Sequence, residues 1–141
     1  AIISIHSPML TPYKYKDFTD TYINAMNHPK VKFLGHIDDS RFPVNYERLL
    51  KKAKENSIYP EINNCSLMPN AYRKECHENS RKILEICKKI ELPILLSSDS
   101  HGKTDVGNMK YIYPLLDASD FPHHLILNSF PDKIRKILID C

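Results

Sequence analysis

Two hydrophobic patterns alternate along the chain. Short apolar runs bounded by turn residues occur at 2–5, 31–34, 59–62, 94–99 and 125–127, and each is followed by apolar residues at helical spacing. The runs predict strands and the spaced stretches predict helices. A first helix is expected over 17–27, where Phe18, Tyr22, Ala25 and Met26 recur, with Asp17 as N-cap and Pro29 as stop. A second, over 45–55, turns Tyr46, Leu49, Leu50 and Ala53 inward and Lys51, Lys52 and Lys54 outward. The third, over 78–90, buries Ile83, Cys87 and Ile90, and a fourth begins near Val106 and is kinked or ended by Pro114. The last opens on Ser129 with Asp132 three positions later, a capping-box pattern, and carries Ile134, Ile137 and Leu138 on its apolar face. Ser7, Pro8, Thr11 and Pro12 mark a loop after the first strand.

Strand-then-helix units in succession argue for an α/β fold with a parallel sheet of about five βα units. A doubly wound open sheet and part of a (β/α) barrel both accommodate them, although closing a barrel ordinarily takes seven or eight strands and about 250 residues. In either architecture, function gathers at the carboxyl ends of the strands.

At 141 residues, 42% of them hydrophobic and 26% charged, the chain is expected to form a single globular domain over 1–141. No apolar run approaches the roughly 20 residues of a membrane helix, and Ala1-Ile2-Ile3-Ser4-Ile5 lacks the basic flank of a signal peptide. A cytoplasmic protein with no membrane partner is the expectation. The net charge of +3 is spread over pairs such as Lys51-Lys52, Lys88-Lys89 and Arg135-Lys136 on the polar sides of helices, which argues against nucleic acid as a partner. Cys65, Cys76, Cys87 and Cys141 form no C-x-x-C and suggest neither a disulfide scaffold nor a thiolate zinc site.

Candidate chemistry lies at the strand ends. His6, His36, Asn63, Asp99 with His101, and Asn128 each follow a different predicted strand, so they would converge on one rim. Within the run that ends at Asp99, strand alternation would point Asp99 and His101 the same way. One histidine at a strand end is more often structural than a ligand; three with a carboxylate on one rim suit zinc, manganese or iron and hydrolysis by metal-activated water. Neither a G-x-S-x-G elbow nor a P-loop occurs, and three glycines leave little room for a phosphate-cradling loop. His28 near a helix C-terminus and His123 and His124 at the opposite rim read as structural, while His77, at a helix start near the long loop, is open to either role with a surface residue favoured. Arg73, Lys74 and Arg81 are cations in or beside the loop after the third strand, where solvated charge competes with phosphate binding as their role.

Phe33-Leu34-Gly35-His36, Glu61-Ile62-Asn63-Asn64, Arg73-Lys74 with Glu78-Asn79-Ser80-Arg81, Ser97-Ser98-Asp99-Ser100-His101 and Val106-Gly107-Asn108 together resemble the PHP-domain metal-dependent phosphoesterases. The nearest branch is the YcdX-like phosphatases, relatives of the histidinol-phosphatase type. The resemblance implies a distorted (β/α)7 barrel with up to three divalent metal ions on its carboxyl rim. His6 and His36 would then serve one metal, Asp99 a second and His101 the third, with Asp99 and His101 at the catalytic centre. It also implies that the chain is the C-terminal portion of such a domain, because the family's early H-x-H motif, two later histidines and a bridging glutamate have no counterpart here. Gly35-His36-Ile37 departs from the family's frequent Ser-His-Pro, which keeps the ligand but alters the loop.

For the complete protein the resemblance implies attack by a metal-bridging hydroxide on a small phosphate monoester, with Arg73, Lys74 and Asn63 holding the substrate. This chain alone would have little or no activity, and its exposed sheet edge would favour a homo-oligomer. Two other readings are a non-catalytic, doubly wound binding module and a PHP-type nuclease or proofreading domain. The lack of a continuous basic surface with interleaved aromatics weighs against the last.

Overall fold

A computed structural model of the chain describes residues 1–6 and 16–139. The expected loop through Ser7, Pro8, Thr11 and Pro12, and Cys141, lie outside the described residues. The fold is α/β. Strands β1 (Ile2–Ile3), β2 (Phe33–Leu34), β3 (Tyr59–Asn63) and β4 (Leu95–Ser97) form a parallel sheet in the order β1-β2-β3-β4. Ile2 pairs with Phe33, Leu34 with Pro60, and Ile62 with Leu96. Five helices are described: α1 (Thr19–Ala25), α2 (Tyr46–Glu55), α3 (Cys76–Ile90), α4 (Ile112–Ala118) and α5 (Pro131–Ile139).

Helix starts follow local hydrogen-bond chemistry. Asp17 accepts the Thr19 N–H at 2.7 Å, and the Thr19 hydroxyl in turn accepts the Asn45 N–H at 2.7 Å, tying the start of α1 to that of α2. Asn45 caps α2 through the Arg48 N–H. The helices pack in chain order, α1 on α2, α2 on α3 and α3 on α4. Between them and the sheet lie Leu34, Leu49, Leu50, Ile62, Ile83, Leu84 and Ile94, each with at most 1% of its surface exposed. Burial of each such side chain stabilises the fold by about 1.5–3 kcal/mol.

Several expectations need correction. β1, β2 and β4 are shorter than their apolar runs. α3 begins two residues early because Cys76 is already buried. Pro114 does not break α4; it lies in the first turn, where backbone N–H groups have no intrahelical partner. The residues before it hold only a 3-10 turn at Lys103–Asp105 and Gly107 at φ 78.

The fifth strand is absent among the described residues. Residues His123–Leu125 and Leu127–Ser129 form 3-10 turns, and only Ile126 pairs, as a single parallel bridge to Ile94. Beyond that bridge the Asn128 side chain takes the place of a strand backbone. Its oxygen accepts the Leu96 N–H at 2.7 Å and its nitrogen donates to the Leu96 carbonyl at 3.0 Å. The Ser129 hydroxyl pairs with His123 Nε2 instead of capping α5, which begins at Pro131 with Phe130 accepting the Lys133 N–H.

Candidate functional site

Where β1, β2, β3 and β4 end, their following residues enclose a cavity of about 240 Å³ lined by His6, His36, Cys65, Arg73, Asp99 and His101 among others. The strand register assembles it. Pairing of Asn63 with Ser97 and the bond from Asn64 N–H to the Ser97 carbonyl bring the loop after β3 against the loop after β4.

His36 follows Gly35, whose position explains why no larger residue stands there. A Cβ on Gly35 would meet the Ile2 side chain at 3.1 Å and the Ser4 Cβ at 3.2 Å, so β1 approaches too closely. His36 itself takes the left-handed region at φ 33 and donates its N–H to Glu61 Oε2 at 2.8 Å. Its ring meets the His6 ring edge-on, Nε2 to Nε2 at 3.2 Å, and His6 Nε2 also pairs with the Ser4 hydroxyl at 2.8 Å. Burial, with the nearby Arg73 charge, pulls the His36 pKa down to about 4, so the ring is neutral near pH 7.

Asp99 lies two residues beyond β4 at φ 47. The chain therefore turns there, and the expected strand alternation is not what brings Asp99 and His101 together. Instead His101 Nδ1 reaches back to the Asp99 carbonyl at 2.8 Å. A carbonyl can only accept, so Nδ1 is the donor in this bond and Nε2 is the ring nitrogen left to bind an ion. Arg73 donates to Asp99 Oδ2 at 2.9 Å, to the Ser66 hydroxyl at 3.1 Å and to Asn63 Oδ1 at 3.3 Å. Burial works to raise the Asp99 carboxyl, but the bonds from Arg73 and Asn63 outweigh it and hold it below the usual carboxylate range.

Asn63 is fully buried at the end of β3, where it also bonds the Ser66 N–H and Glu61. Lys74 does not line the cavity. Its side chain is exposed, while its backbone joins the loop after β2, N–H to Asp39 and carbonyl from the Ser40 N–H. His77 bonds the Leu67 carbonyl, in keeping with a structural role.

Sequence reasoning gave no role to Glu61, Cys65, Asp38, Asp39, Arg41 or Tyr72. Glu61 shares a strand face with Asn63 and accepts bonds from the His36 N–H, the Asn63 amide and the Ser97 hydroxyl, so the period of β3 could have revealed it. Asp38 is enclosed by the Ser66 and Ser80 hydroxyls, and burial pushes its carboxyl up to about 6. Arg41 forks onto Asp39 and stacks 4.1 Å over the exposed Tyr72 ring at the cavity mouth. Cys65 donates toward the Ser98 and Asp99 carbonyls, each at 3.2 Å. Nothing in its spacing from other residues marked it out.

No protein-family model matches the chain. It is similar to proteins named as probable phosphatases. One from Clostridium acetobutylicum is 36% identical over 137 residues, covering 97% of this chain and 55% of the relative. Another, from Clostridium novyi, is 38% identical with the same coverage. A third, from Vibrio parahaemolyticus, is 32% identical over 129 residues, 89% of this chain and 50% of the relative. The chain thus spans about half the length of the curated relatives it matches.

Proposed function

We propose that the rim is part of the divalent-metal centre of a phosphatase acting on small phosphate monoesters, and that this chain corresponds to the C-terminal portion of a PHP-type domain. The observation that carries the reading is the facing pair of ring nitrogens in His6 and His36, 3.2 Å apart. Two nitrogens each about 2.0–2.1 Å from one tetrahedral ion stand about 3.3 Å apart, so the pair has the spacing of shared ligands. Beside this pair, with His36 neutral, anionic Asp99 and His101 form a second group of donors, and both groups suit zinc, manganese or iron. The sequential strand order and the packing of α1 to α4 in chain order favour an arc of a barrel over a doubly wound sheet, which would reverse its order at a switch point. The names of the relatives supply the phosphatase class.

Divalent ions held there would supply Lewis acidity and lower the pKa of water, so that phosphate esters hydrolyse near neutral pH. The chain's own residues do the rest. Glu61 fixes the His36 backbone, and the Asp99 carbonyl fixes the His101 ring, so both imidazoles are oriented in advance. Arg73, held by Asn63 and Ser66, places a forked cation beside Asp99, where it binds phosphoryl oxygens. Lys74, with its exposed side chain, would meet the substrate only from outside the cavity.

Metal content per chain after purification without chelators tests the reading, and chelator-sensitive phosphate release from an aryl phosphate tests it in a longer protein that supplies the rest of the domain. We expect at least one ion per chain, lost in the His36→Ala, Asp99→Ala double variant. Absence of metal uptake in the wild-type chain, at micromolar zinc or manganese, overturns it.

A further inference from the structure

We propose that Cys65 is a ligand of the rim centre, joining Asp99 and His101 in a sulfur-containing set that selects zinc-like over manganese-like ions. The inference rests on the rim being a metal centre and adds to it which ion the centre prefers. Among the described residues, Cys65, Asp99 and His101 have ligand atoms that all lie within 4.8 Å of one another. They come from two loops whose relative position is fixed by the Asn63–Ser97 pairing, so the cluster is built by the sheet and not by chance side-chain reach.

Three features aim Cys65 at this cluster. It opens the 3-10 turn Cys65–Leu67 directly after Asn64, whose side chain and backbone are both tied down, by the Tyr111 N–H and by the Ser97 carbonyl. Its one thiol hydrogen is shared between two carbonyls at 3.2 Å, a divided and weak bond that an ion can replace as the proton passes to solvent. The left-handed turn at Asp99 presents a carboxylate on the same side, and His101 Nε2 is left to bind an ion because Nδ1 donates to the Asp99 carbonyl. Carboxylate and imidazole alone accept manganese, magnesium or zinc. A thiolate added to them favours zinc and cobalt and disfavours manganese.

Cobalt(II) loading of the full chain tests this without turnover, because its visible ligand-field bands report binding and a near-ultraviolet thiolate-to-cobalt charge-transfer band reports sulfur coordination. Cys65→Ser keeps a hydroxyl donor for the two carbonyls and so keeps the local fold. We expect both signals in the wild type, and in Cys65→Ser the ligand-field bands without the charge-transfer band. Zinc affinity should fall about ten-fold or more in the variant while manganese affinity changes much less. Ligand-field bands with no charge-transfer band in the wild type overturn the role of Cys65 and leave the metal centre standing. A charge-transfer band that survives in Cys65→Ser assigns the sulfur to another cysteine and overturns it too. No cobalt signal of either kind removes the metal centre itself, and this inference with it.

Discussion

Asp38 is a buried carboxyl under opposing electrostatic pulls. Burial holds its carboxyl near pKa 6 although Ser80, Arg73 and Ser66 all act to lower it, while Glu61 pushes the other way. Between its ordinary value of 3.8 and about 6 the folded chain keeps a proton that the unfolded chain has released. Stability from this group is therefore complete below pH 4 and is lost as pH rises through 6, a change on the order of 3 kcal/mol. Asp39 and Asp99 are shifted down and work in the opposite direction, so the readout is a difference. Urea unfolding of Asp38→Asn against wild type at pH 4 and pH 7 should show the variant gaining relative to wild type at the higher pH. A difference independent of pH would refute the assignment. Burial likewise pushes the Cys87 thiol up to about 12, so iodoacetamide at pH 8 should leave Cys87 unlabelled in the native chain, by peptide mapping, and label it in urea. At this scale the sequence disclosed residue types but not their partners. His6, His36, Asp99 and His101 stood out because imidazole and carboxylate followed apolar runs. Glu61 and Cys65 stood within or beside such a run with no pattern of their own, and Asp38 became distinctive only once Ser66 and Ser80 were folded around it.

Among the elements, β4 shows best where periodicity succeeds and where it stops. Apolar runs flanked by polar turns located the four described strands, since parallel strands buried on both faces read as near-continuous apolar runs. Leu125, Ile126 and Leu127 carry the same signal, yet Leu125 and Leu127 bury their side chains from two 3-10 turns and Ile126 between them makes a single bridge. The substitution of a side-chain amide for a backbone amide, Asn128 against Leu96, leaves no trace in hydrophobic spacing. Asn128→Ala strips both Leu96 backbone groups of their partners and should cost about 1–3 kcal/mol, lowering the melting midpoint by several degrees. Asn128→Asp, which still accepts from the Leu96 N–H but cannot donate to its carbonyl, should fall between. Equal melting of Asn128→Ala and wild type would show that solvent serves Leu96 as well as the amide does.

For the whole molecule, strand order stayed open between a doubly wound sheet and an arc of a barrel, whereas the succession of parallel βα units was legible in the alternation of apolar runs and helical spacing. Whether the sheet closes was not, because closure depends on pairing between its outermost strands. β1 is the outer strand on one side, with Ile2 49% exposed. We expect concentration-dependent self-association in sedimentation experiments, weakened by Ile2→Lys, which sets a charge on that strand. A monomer at all concentrations would show the edge to be inert.

The two borders of the sheet are unlike. Beyond β4 the Ile126 bridge and the Asn128 amide already occupy the backbone groups that an incoming strand would need, whereas β1 has described neighbours on one side alone. An assembly that adds copies end upon end needs two receptive ends per copy, and the described residues offer one. If copies meet through β1, they would satisfy each other in a closed two-fold pair, and the same asparagine that finishes a strand inside one chain would keep such pairs from growing into a fibre.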